Sequence, residues 1–413
     1  MNRYLQKIKR IKNRYGKFNN SELDNVLNVL DADSDIDYIK KLENLFCKTF
    51  GVKYAIACNS GTSGLHSALA ALNLKKDDEV IVPGLTVVMD AYAALHLGAT
   101  PIFADVDEET YLITAETIER KITKRTKAII VVSLQGLPVD IDPIMKVAKN
   151  RNIFVIEDNA QDMLGKYKGR ISGITGDISI WSFENKKHLS GATEGGIITT
   201  NKKELAEKIR KFGGIGYKNM TASGGRTSLS ISMVQDPDYE RFDTVGLNYR
   251  MPQIVAAVCY AQLKNVKKIV KRRIKVADYF SQAIKDSNIL IQQKKPKNTK
   301  HSHYTFSARL VNNEKIKWKE IYNIYKSKTG HGFYGACVCP HLEPSIKTFM
   351  EKTGCFNCRK ISTGCYCTKK GFLPIAEKIQ KQIMQFKTNY RNLREARKNA
   401  KILNEILKKI ETK

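Results

Sequence analysis

From about residue 50 the chain alternates short apolar segments with helical patterns, and this alternation restricts the fold more than any other feature of the sequence. The apolar runs that predict strands are Tyr54–Cys58, Glu79–Val82, Pro101–Ala104, Ala128–Ser133, Ile153–Glu157, Ile178–Phe183 and Gly196–Thr200. Helical patterns lie between several of them, at Gly61–Leu74, Val88–Leu97 and Ile141–Asn150, and a further one starts at Lys203. Such alternation predicts an α/β fold in which a parallel or mixed sheet is covered by helices on both faces.

The second half of the chain changes character and predicts a smaller unit. Residues 221–243 are rich in Gly, Ser, Asp and Pro, which is typical of an excursion loop. Helical patterns follow at about 252–261 and 265–284, and an amphipathic helix is predicted near Leu393–Ile410. The predicted parts are an N-terminal basic arm (1–24), a large domain (25–262) and a small C-terminal domain (263–413) with a Cys-rich loop (337–367).

The chain carries 70 Lys and Arg against 41 Asp and Glu, a formal net charge of +29. A charge of this size is compatible with nucleic-acid binding, but that function also requires the basic residues to cluster on one face. Here lysines occur in almost every segment, mostly where helix surfaces are predicted. We therefore interpret the charge as a surface property that suits an anionic small-molecule substrate, and we do not expect a nucleic-acid partner.

No segment of the sequence has the pattern of an export or membrane signal. Met1–Phe18 is basic and lacks the apolar stretch of a signal peptide. The longest uncharged stretch, Tyr54–Leu74, contains polar residues and glycines, which is not typical of a membrane span. We expect a cytoplasmic protein without a membrane partner, whose cysteines are mostly reduced.

Six of the nine cysteines lie between Cys337 and Cys367. Cys355-x-x-Cys358 and Cys365-x-Cys367 could supply four thiolates to one zinc ion, although the second pair is closer than in a usual zinc knuckle. The alternative is a reduced Cys-rich surface loop, and we assign no metal ligand.

Three motifs follow one another in an informative order. Asn59–His66 has small residues at a strand-to-helix junction, where free N–H groups at the helix start favour a phosphate. Asp158 ends a predicted buried strand. Lys187 lies in a Gly- and Ser-rich loop after the strand that contains Trp181, where partial burial would lower its pKa and favour a Schiff base. Each motif alone is common, but together they meet the requirements of pyridoxal phosphate (PLP).

With these motifs the chain resembles the DegT/StrS-type nucleotide-sugar aminotransferases, which are fold-type I PLP-dependent enzymes. The resemblance runs from about residue 22 to at least 262 and weakly to about 390. The stretches that carry it are Cys58–Leu72, Asp78–Pro83, Gly98–Asp107, Ile156–Gln161, Ser182–Gly196 and Gly246–Ala257, with Cys339–Pro344 and Leu373–Glu377 in the C-terminal part. It implies a large, mostly parallel sheet domain and a smaller C-terminal α+β domain.

The resemblance also implies roles for individual residues around the cofactor. Lys187 matches the lysine that forms a Schiff base with PLP, and Asp158 matches the partner of the pyridine nitrogen. Gln161 matches a glutamine that lies against the cofactor near its ring oxygen. The implied phosphate contacts are Gly61, Thr62 and Ser182.

Two further positions imply a second subunit. Asn248 matches an asparagine that reaches the phosphate from the neighbouring subunit, so the resemblance implies a homodimer with shared active sites. Arg250 would lie near that shared site and meet an anionic group of the substrate. His188, next to Lys187, is a second candidate substrate contact.

The sequence departs from the family pattern at two places. Val87 occupies the position where the family usually has an aromatic residue that stacks on the cofactor ring. Residues 190–194 form a segment one residue longer than the usual turn before the Gly-Gly pair. Both departures bear on substrate preference more than on PLP binding.

The implied activity is transfer of an amino group, usually from glutamate, to a nucleotide-linked keto-deoxy sugar for glycan, lipopolysaccharide or antibiotic biosynthesis. Position C4 of a 4-keto-6-deoxyhexose is the commonest choice in the family, and C3 is the main alternative. Lys187 favours this activity over a PLP-dependent sugar dehydratase, because related dehydratases carry histidine in place of the lysine. A non-catalytic nucleic-acid-binding or regulatory protein on the same fold is the remaining alternative.

Overall fold

The computed structural model describes residues 18, 20–31, 33, 35–224, 235–311, 316–353 and 368–412, and its centre is a seven-stranded mixed sheet. The described strands are β1 Tyr54–Cys58, β2 Glu79–Pro83, β3 Thr100–Ala104, β4 Thr126–Val132, β5 Phe154–Asp158, β6 Lys166–Tyr167, β7 Arg170–Ile171, β8 Ile178–Ser182, β9 Gly196–Thr200, β10 Leu290–Gln292, β11 Thr299–Lys300, β12 Thr305–Leu310 and β13 Ile383–Lys387. The large sheet has the order β1-β9-β8-β5-β4-β2-β3. Strand β9 runs antiparallel to β1 and β8, and the other neighbouring strands are parallel.

The large sheet is covered on both faces, which explains the apolar runs of the sequence. Every residue of β2, β8 and β9 is buried. Strands of a parallel sheet that lie between two helix layers read as continuous apolar segments, because neither face meets water. The predicted α/β fold with a mixed, mostly parallel sheet is therefore confirmed.

The ends of helices around the sheet are set by capping side chains and by the backbone conformation of single residues. The described α-helices are α1 Asn20–Leu30, α2 Tyr38–Phe50, α3 Gly61–Ala70, α4 Met89–Leu95, α5 Ala115–Glu119, α6 Ile141–Asn150, α7 Lys203–Gly213, α8 Gln253–Lys264, α9 Val266–Ala283, α10 Trp318–Thr329, α11 Pro344–Thr353, α12 Pro374–Gln380 and α13 Leu393–Glu411. Helix α3 begins with a reciprocal cap, in which the Ser60 side chain accepts from Ser63 N and the Ser63 side chain accepts from Ser60 N. It ends four residues before the predicted Leu74, and Asn73 beyond it has a left-handed φ of 52°.

A second, antiparallel sheet has the order β10-β12-β13 and forms its own core with α9 and α13. The segment that carries α11 and α12 instead packs on the large sheet, where Cys339, Ile346 and Ala376 join the main core. Strand β11 also pairs with β6 from the first half of the chain. Side chains from after residue 263 therefore complete the core of the large sheet. The predicted domain boundary between residues 262 and 263 stays a prediction.

The predicted N-terminal arm overlaps helix α1, which packs on α8. Asn25 Nδ2 donates to the carbonyl oxygen of Ala257 at 3.1 Å. Residues 1–17 lie outside the described residues, as do Cys355, Cys358, Cys365 and Cys367 of the candidate zinc motif. Within the described ranges, no helix combines the length and the apolar character that crossing a membrane requires.

The parallel strands bring polar residues to one edge of the large sheet. Asp158 ends β5, Ser182 ends β8, and the segment with Thr86 follows β2. The carboxyl ends of parallel strands meet at the same edge, which is where open α/β sheets bind their ligands. The two sequence motifs that contain Asp158 and Ser182 are therefore neighbours in space.

Candidate active site

A cavity of about 800 Å³ lies at this edge of the large sheet. Its walls come from both halves of the chain and include Thr86, Val87, Gln161, Lys187, Tyr304 and Cys337. A volume of this size is typical of a small-molecule or cofactor site. The cavity therefore contains the predicted lysine, Gln161 and the unusual Val87.

Lys187 lies in the loop between β8 and β9, with its side chain partly exposed to the cavity. The Lys187 Nζ atom is 4.7 Å from the centre of the Tyr304 ring. Loss of solvation lowers the pKa of Lys187, and the negative charge of Asp158 partly opposes this shift. A lowered pKa increases the neutral fraction of the amine, which is the nucleophilic form.

Arg273 holds the backbone of the lysine loop from the side of the small sheet. Its side chain is buried, and Nη2 donates to the carbonyl oxygens of Lys186 at 3.0 Å and Lys187 at 2.7 Å. Its Nη1 donates to the carbonyl oxygen of Tyr304 at 2.8 Å and to Thr388 Oγ1 at 3.1 Å. Burial lowers the pKa of Arg273 to about 10, so the guanidinium remains charged at neutral pH.

Sequence reasoning missed Arg273, although a signal was present. It lies three residues from the buried Val270 and three from the buried Val276, on the apolar stripe of α9. An arginine on the buried stripe of a helix needs buried acceptors, and the loop carbonyls supply them.

Asp158 is buried at the end of β5, where Ala160 N donates to its Oδ1 at 2.7 Å. Burial raises the pKa of Asp158, whereas that hydrogen bond and the nearby Lys187 lower it. A second buried carboxyl group, that of Asp90, is its neighbour. Sequence reasoning placed Asp90 in the helix at 88–97 without a role, and the only signal was a single carboxylate among apolar residues.

The junction of β8, β9 and α3 forms a tight backbone cradle. A Cβ added at Gly61 would lie 2.9 Å from the Cβ of Ser182, and one added at Gly196 would lie 2.7 Å from the carbonyl carbon of Ser60. Glycine is therefore required at both positions. Gly61 and the exposed Thr62 belong to the first turn of α3. The N–H groups of a first helix turn have no acceptor within the helix, so they can bind an anion.

Gln161 and His188 are held by backbone atoms at the cavity. Gln161 Oε1 accepts a hydrogen bond from Gln135 N at 2.7 Å. His188 is buried, and its Nε2 lies 3.0 Å from the carbonyl oxygen of Ser302. Burial lowers the pKa of His188 well below its ordinary value, so its ring is neutral. A direct contact of His188 with a substrate stays a prediction.

Asn248 and Arg250 lie elsewhere on the chain. Both are exposed, and Arg250 Nε donates to Asn248 Oδ1 at 3.0 Å. They run alongside β1, where Arg250 forms a bridge with Cys58. Neither contributes to the described wall of the lysine cavity. The described wall likewise does not include Gly61, Ser182 or Asp158, so these residues also lie beyond the lining of the cavity.

The residues at this edge of the large sheet fit PLP. The cradle, which a Cβ at Gly61 would fill, suits the phosphate, and Asp158 is a buried carboxyl group for the pyridine nitrogen. Lys187 is the amine that can bond to the aldehyde carbon. Val87 lines the cavity, and in place of a stacking aromatic it would give the ring of bound PLP an aliphatic neighbour.

The Gly61→Ala variant tests the cradle. We expect its dissociation constant for PLP to rise by about 10- to 100-fold, because the new Cβ pushes against Ser182 and displaces the helix amides from the phosphate. Fluorescence titration of the apoenzyme with PLP measures this change. Gly213→Ala is the matched control, since a Cβ there has its nearest neighbours at 3.6 Å. Equal affinity in both variants would contradict the assignment of the cradle.

Comparison with known proteins agrees with this geometry. The sequence profile of the DegT/DnrJ/EryC1/StrS aminotransferase family matches residues 15–353. A GDP-perosamine synthase of Escherichia coli O157:H7 is 40% identical over 272 residues, which are 66% of this chain and 69% of that protein. The solved structure of the aminotransferase from Psychrobacter cryohalolentis has a TM-score of 0.81 and 27% identity, and the match covers 95% of this chain and 98% of that one.

A further solved structure, the GDP-4-keto-6-deoxy-D-mannose-3-dehydratase of E. coli with bound hydrated PLP, has a TM-score of 0.80. It is 24% identical, and the match covers 94% of this chain and 97% of that one, so the two share a fold. The family match includes the cradle, Asp158 and Lys187. The chain belongs to the DegT/DnrJ/EryC1/StrS aminotransferase family, and it is a PLP-dependent sugar aminotransferase.

Proposed function

We propose that this enzyme transfers the amino group of glutamate to C4 of GDP-4-keto-6-deoxymannose and so forms GDP-perosamine. The observation that carries the proposal is Lys187, whose amine lies in the cavity near the buried Asp158. The 40% identical relative named GDP-perosamine synthase supports the choice of nucleotide and sugar. Amination of C3 is the alternative outcome of the same chemistry.

The described residues have separate tasks in this reaction. PLP, when bound, accepts the electron pair that the Cα–H bond of the amino donor releases. Asp158 holds the proton on the pyridine nitrogen, which makes the ring a better electron acceptor. Lys187 Nζ takes the proton from Cα of the amino donor and would deliver it to the cofactor carbon. Arg273 keeps the lysine loop in place through the carbonyl oxygens of Lys186 and Lys187.

The two half-reactions together move one amino group from glutamate to the keto carbon of the sugar. In the first, glutamate gives up its amino group, takes the oxygen of one water molecule and leaves as 2-oxoglutarate. In the second, the keto carbon of the sugar receives that amino group and its oxygen leaves as water. Lys187 Nζ moves the proton in both directions, so the same residue serves both halves.

The product of the purified enzyme tests this function. The enzyme with PLP is incubated with ¹⁵N-glutamate and GDP-4-keto-6-deoxymannose, and the nucleotide sugar is analysed by mass spectrometry and NMR. We expect a GDP-amino sugar that carries ¹⁵N at C4, formed together with an equal amount of 2-oxoglutarate. A deoxy product without ¹⁵N would instead identify a sugar dehydratase. Parallel reactions with dTDP- and UDP-linked keto sugars test the choice of nucleotide.

We also propose that the enzyme is a homodimer with shared active sites. Val245 is 95% exposed, and Phe242, Leu247 and Ile254 are exposed nearby in the chain. Exposed apolar clusters of this kind are typical of interaction surfaces. Asn248 and Arg250 are exposed residues of the same segment and do not line the described cavity, which supports a contact with the active site of a partner subunit.

The Val245→Glu variant tests the dimer. A charge at this exposed apolar position would have to be buried in the interface, so we expect a monomer by light scattering where the parent protein is a dimer. Leu27→Glu is the matched control, because Leu27 is an exposed apolar residue on α1. A dimeric Val245→Glu protein would place the interface elsewhere.

Mixing two inactive variants tests whether the sites are shared. Lys187→Ala and Asn248→Ala subunits are unfolded and refolded together. If Asn248 serves the partner's site, each mixed dimer contains one intact site and one site that lacks both residues. About half of the random dimers are mixed, so about one site in four is intact and we expect about a quarter of the parental activity. Activity no greater than that of the separate variants would show that each subunit uses its own Asn248.

We propose a cytoplasmic location, with no nucleic-acid partner. The described cysteines Cys47, Cys58, Cys259, Cys337 and Cys339 are free thiols, which supports a reducing compartment. Binding of the holoenzyme to duplex DNA at low and at physiological salt tests the second part, and retention at physiological salt would contradict it.

A further inference from the structure

Asp90 is a buried carboxyl group at the active site for which the chemistry described above has no task. It lies in the first turn of α4, and its side chain is fully buried. Thr86 Oγ1 donates to its Oδ2 at 2.6 Å. Its Oδ1 is also buried and receives no hydrogen bond from a described donor. The carboxyl group of Asp158 is its neighbour, and Lys187 lies within electrostatic range.

Two carboxyl groups that meet in a buried site cannot both be ionised at low cost, because like charges repel strongly where water is excluded. One proton between them turns the repulsion into a hydrogen bond. A proton on Asp90 Oδ1 also explains why no described N–H or O–H group donates to this buried oxygen, because the protonated oxygen donates a hydrogen bond itself.

The surroundings decide which of the two carboxyl groups carries the proton. Asp158 accepts from Ala160 N, and the positive charge of Lys187 acts to lower its pKa, so both interactions favour its ionised form. Among the described residues, Asp90 has one hydroxyl donor, Thr86, and its side chain receives no amide N–H. Burial and the charge of Asp158 raise the pKa of Asp90 well above its ordinary value.

We propose that Asp90 is a positioning residue, which carries a proton in the folded enzyme and donates a hydrogen bond through it to Asp158. The hydrogen bond keeps Asp158 ionised and fixes the direction of its other oxygen toward the pyridine nitrogen. Thr86 orients Asp90 in turn, so the chain of contacts runs from Thr86 through Asp90 to Asp158. The inference rests on PLP at this site and is independent of the sugar that is aminated.

Two substitutions separate a protonated from an ionised Asp90. Asp90→Asn reproduces the protonated group, because its amide oxygen can accept from Thr86 and its NH₂ can donate to Asp158. Asp90→Leu has a similar size but neither polar atom. Asp278→Asn, at an exposed position of α9, controls for the loss of one carboxylate.

The first measurement is the dissociation constant for PLP, from quenching of tryptophan fluorescence in the apoenzymes. We expect Asp90→Leu to bind PLP about 10- to 100-fold more weakly than the parent, and Asp90→Asn to restore most of that loss. An Asp90→Asn protein as weak as Asp90→Leu would overturn the proposal, because it would show that the ionised form is needed. Parental affinity in Asp90→Leu would overturn it as well.

The second measurement is the melting temperature of the apoenzymes as a function of pH, which needs no cofactor. A raised folded-state pKa means that the folded protein holds a proton that the unfolded chain releases above pH 3.8. The parent therefore loses stability as the pH rises from 3.8 toward the raised value, and this loss is absent in Asp90→Asn.

The melting temperature of Asp90→Asn should accordingly rise relative to that of the parent as the pH increases. Parallel curves of melting temperature against pH for the parent and Asp90→Asn would overturn the proposal. This comparison does not use Asp90→Leu, so it is valid even where that variant does not fold. A parent protein that takes up no PLP would instead refute the cofactor assignment, while the pH curves would still decide whether Asp90 carries the proton.

Discussion

Replacement of Lys187 by alanine should reduce kcat/KM for amino transfer by about 10⁴-fold, because Lys187 is the cavity lysine whose charge acts on the buried Asp158. Loss of solvation inside the cavity lowers the pKa of Lys187, which favours the neutral amine. Its loss removes both the covalent attachment of PLP and the group that moves the Cα proton. Stopped assays with GDP-4-keto-6-deoxymannose and glutamate measure the effect.

Absorbance spectra and added amines make the Lys187 result specific. The parent protein with PLP should show the visible band of a lysine-bound cofactor, and Lys187→Ala should lack it. Small primary amines in solution should restore part of the activity, because they can replace the missing base. Lys186→Ala, which removes the exposed neighbouring lysine, should keep the band. An unchanged band in Lys187→Ala would refute the assignment of this lysine.

Substitution of Asp158 by asparagine should lower kcat by about 10²- to 10⁴-fold, with a smaller change in KM for the sugar. An amide cannot hold the proton on the pyridine nitrogen, so the ring accepts electrons less well during proton removal from Cα. Asp158 is buried at the end of β5, so water cannot take over this role. Steady-state kinetics over a range of both substrates separate kcat from KM.

A slow proton-removal step in Asp158→Asn should also appear as an isotope effect. We expect α-deuterated glutamate to react more slowly than ordinary glutamate in the variant, and the difference to be larger than in the parent. Asp142→Asn is the control, because Asp142 is a surface carboxylate that pairs with Lys168 and Arg170. A kcat within a few-fold of the parent's would show that Asp158 is not the partner of the ring nitrogen.

The main features of the fold could be predicted because they depend on local sequence patterns. Strands such as Ile178–Ser182 are buried along their whole length, so each reads as an apolar run. The boundaries were less accurate where backbone geometry intervened, as at Asn73, where a left-handed residue follows an early helix end. The order of cradle, aspartate and lysine along the chain then pointed to PLP, since each motif ends a strand at the same edge of the sheet.

The contacts that tune the site could not be predicted, because they join residues far apart in the chain. Arg273 reaches the carbonyl of Lys187 from a different sheet layer, and Asp90 meets Asp158 only when β2 and β5 lie in one sheet. A buried charge is visible in a sequence only as a polar residue in an apolar pattern. Its partner depends on how the elements pack.

The sequence by itself therefore determined the layered α/β architecture and the cofactor class, and it predicted Lys187 and Asp158 as cofactor residues. These features follow from periodicity and from residue types at strand ends, which are properties of short segments. Only the tertiary structure decided that Asp90 lies beside Asp158 and that Arg273 holds the backbone of the lysine loop. The physical reason is that solvation and charge–charge distances, which set these properties, exist only after the chain has folded.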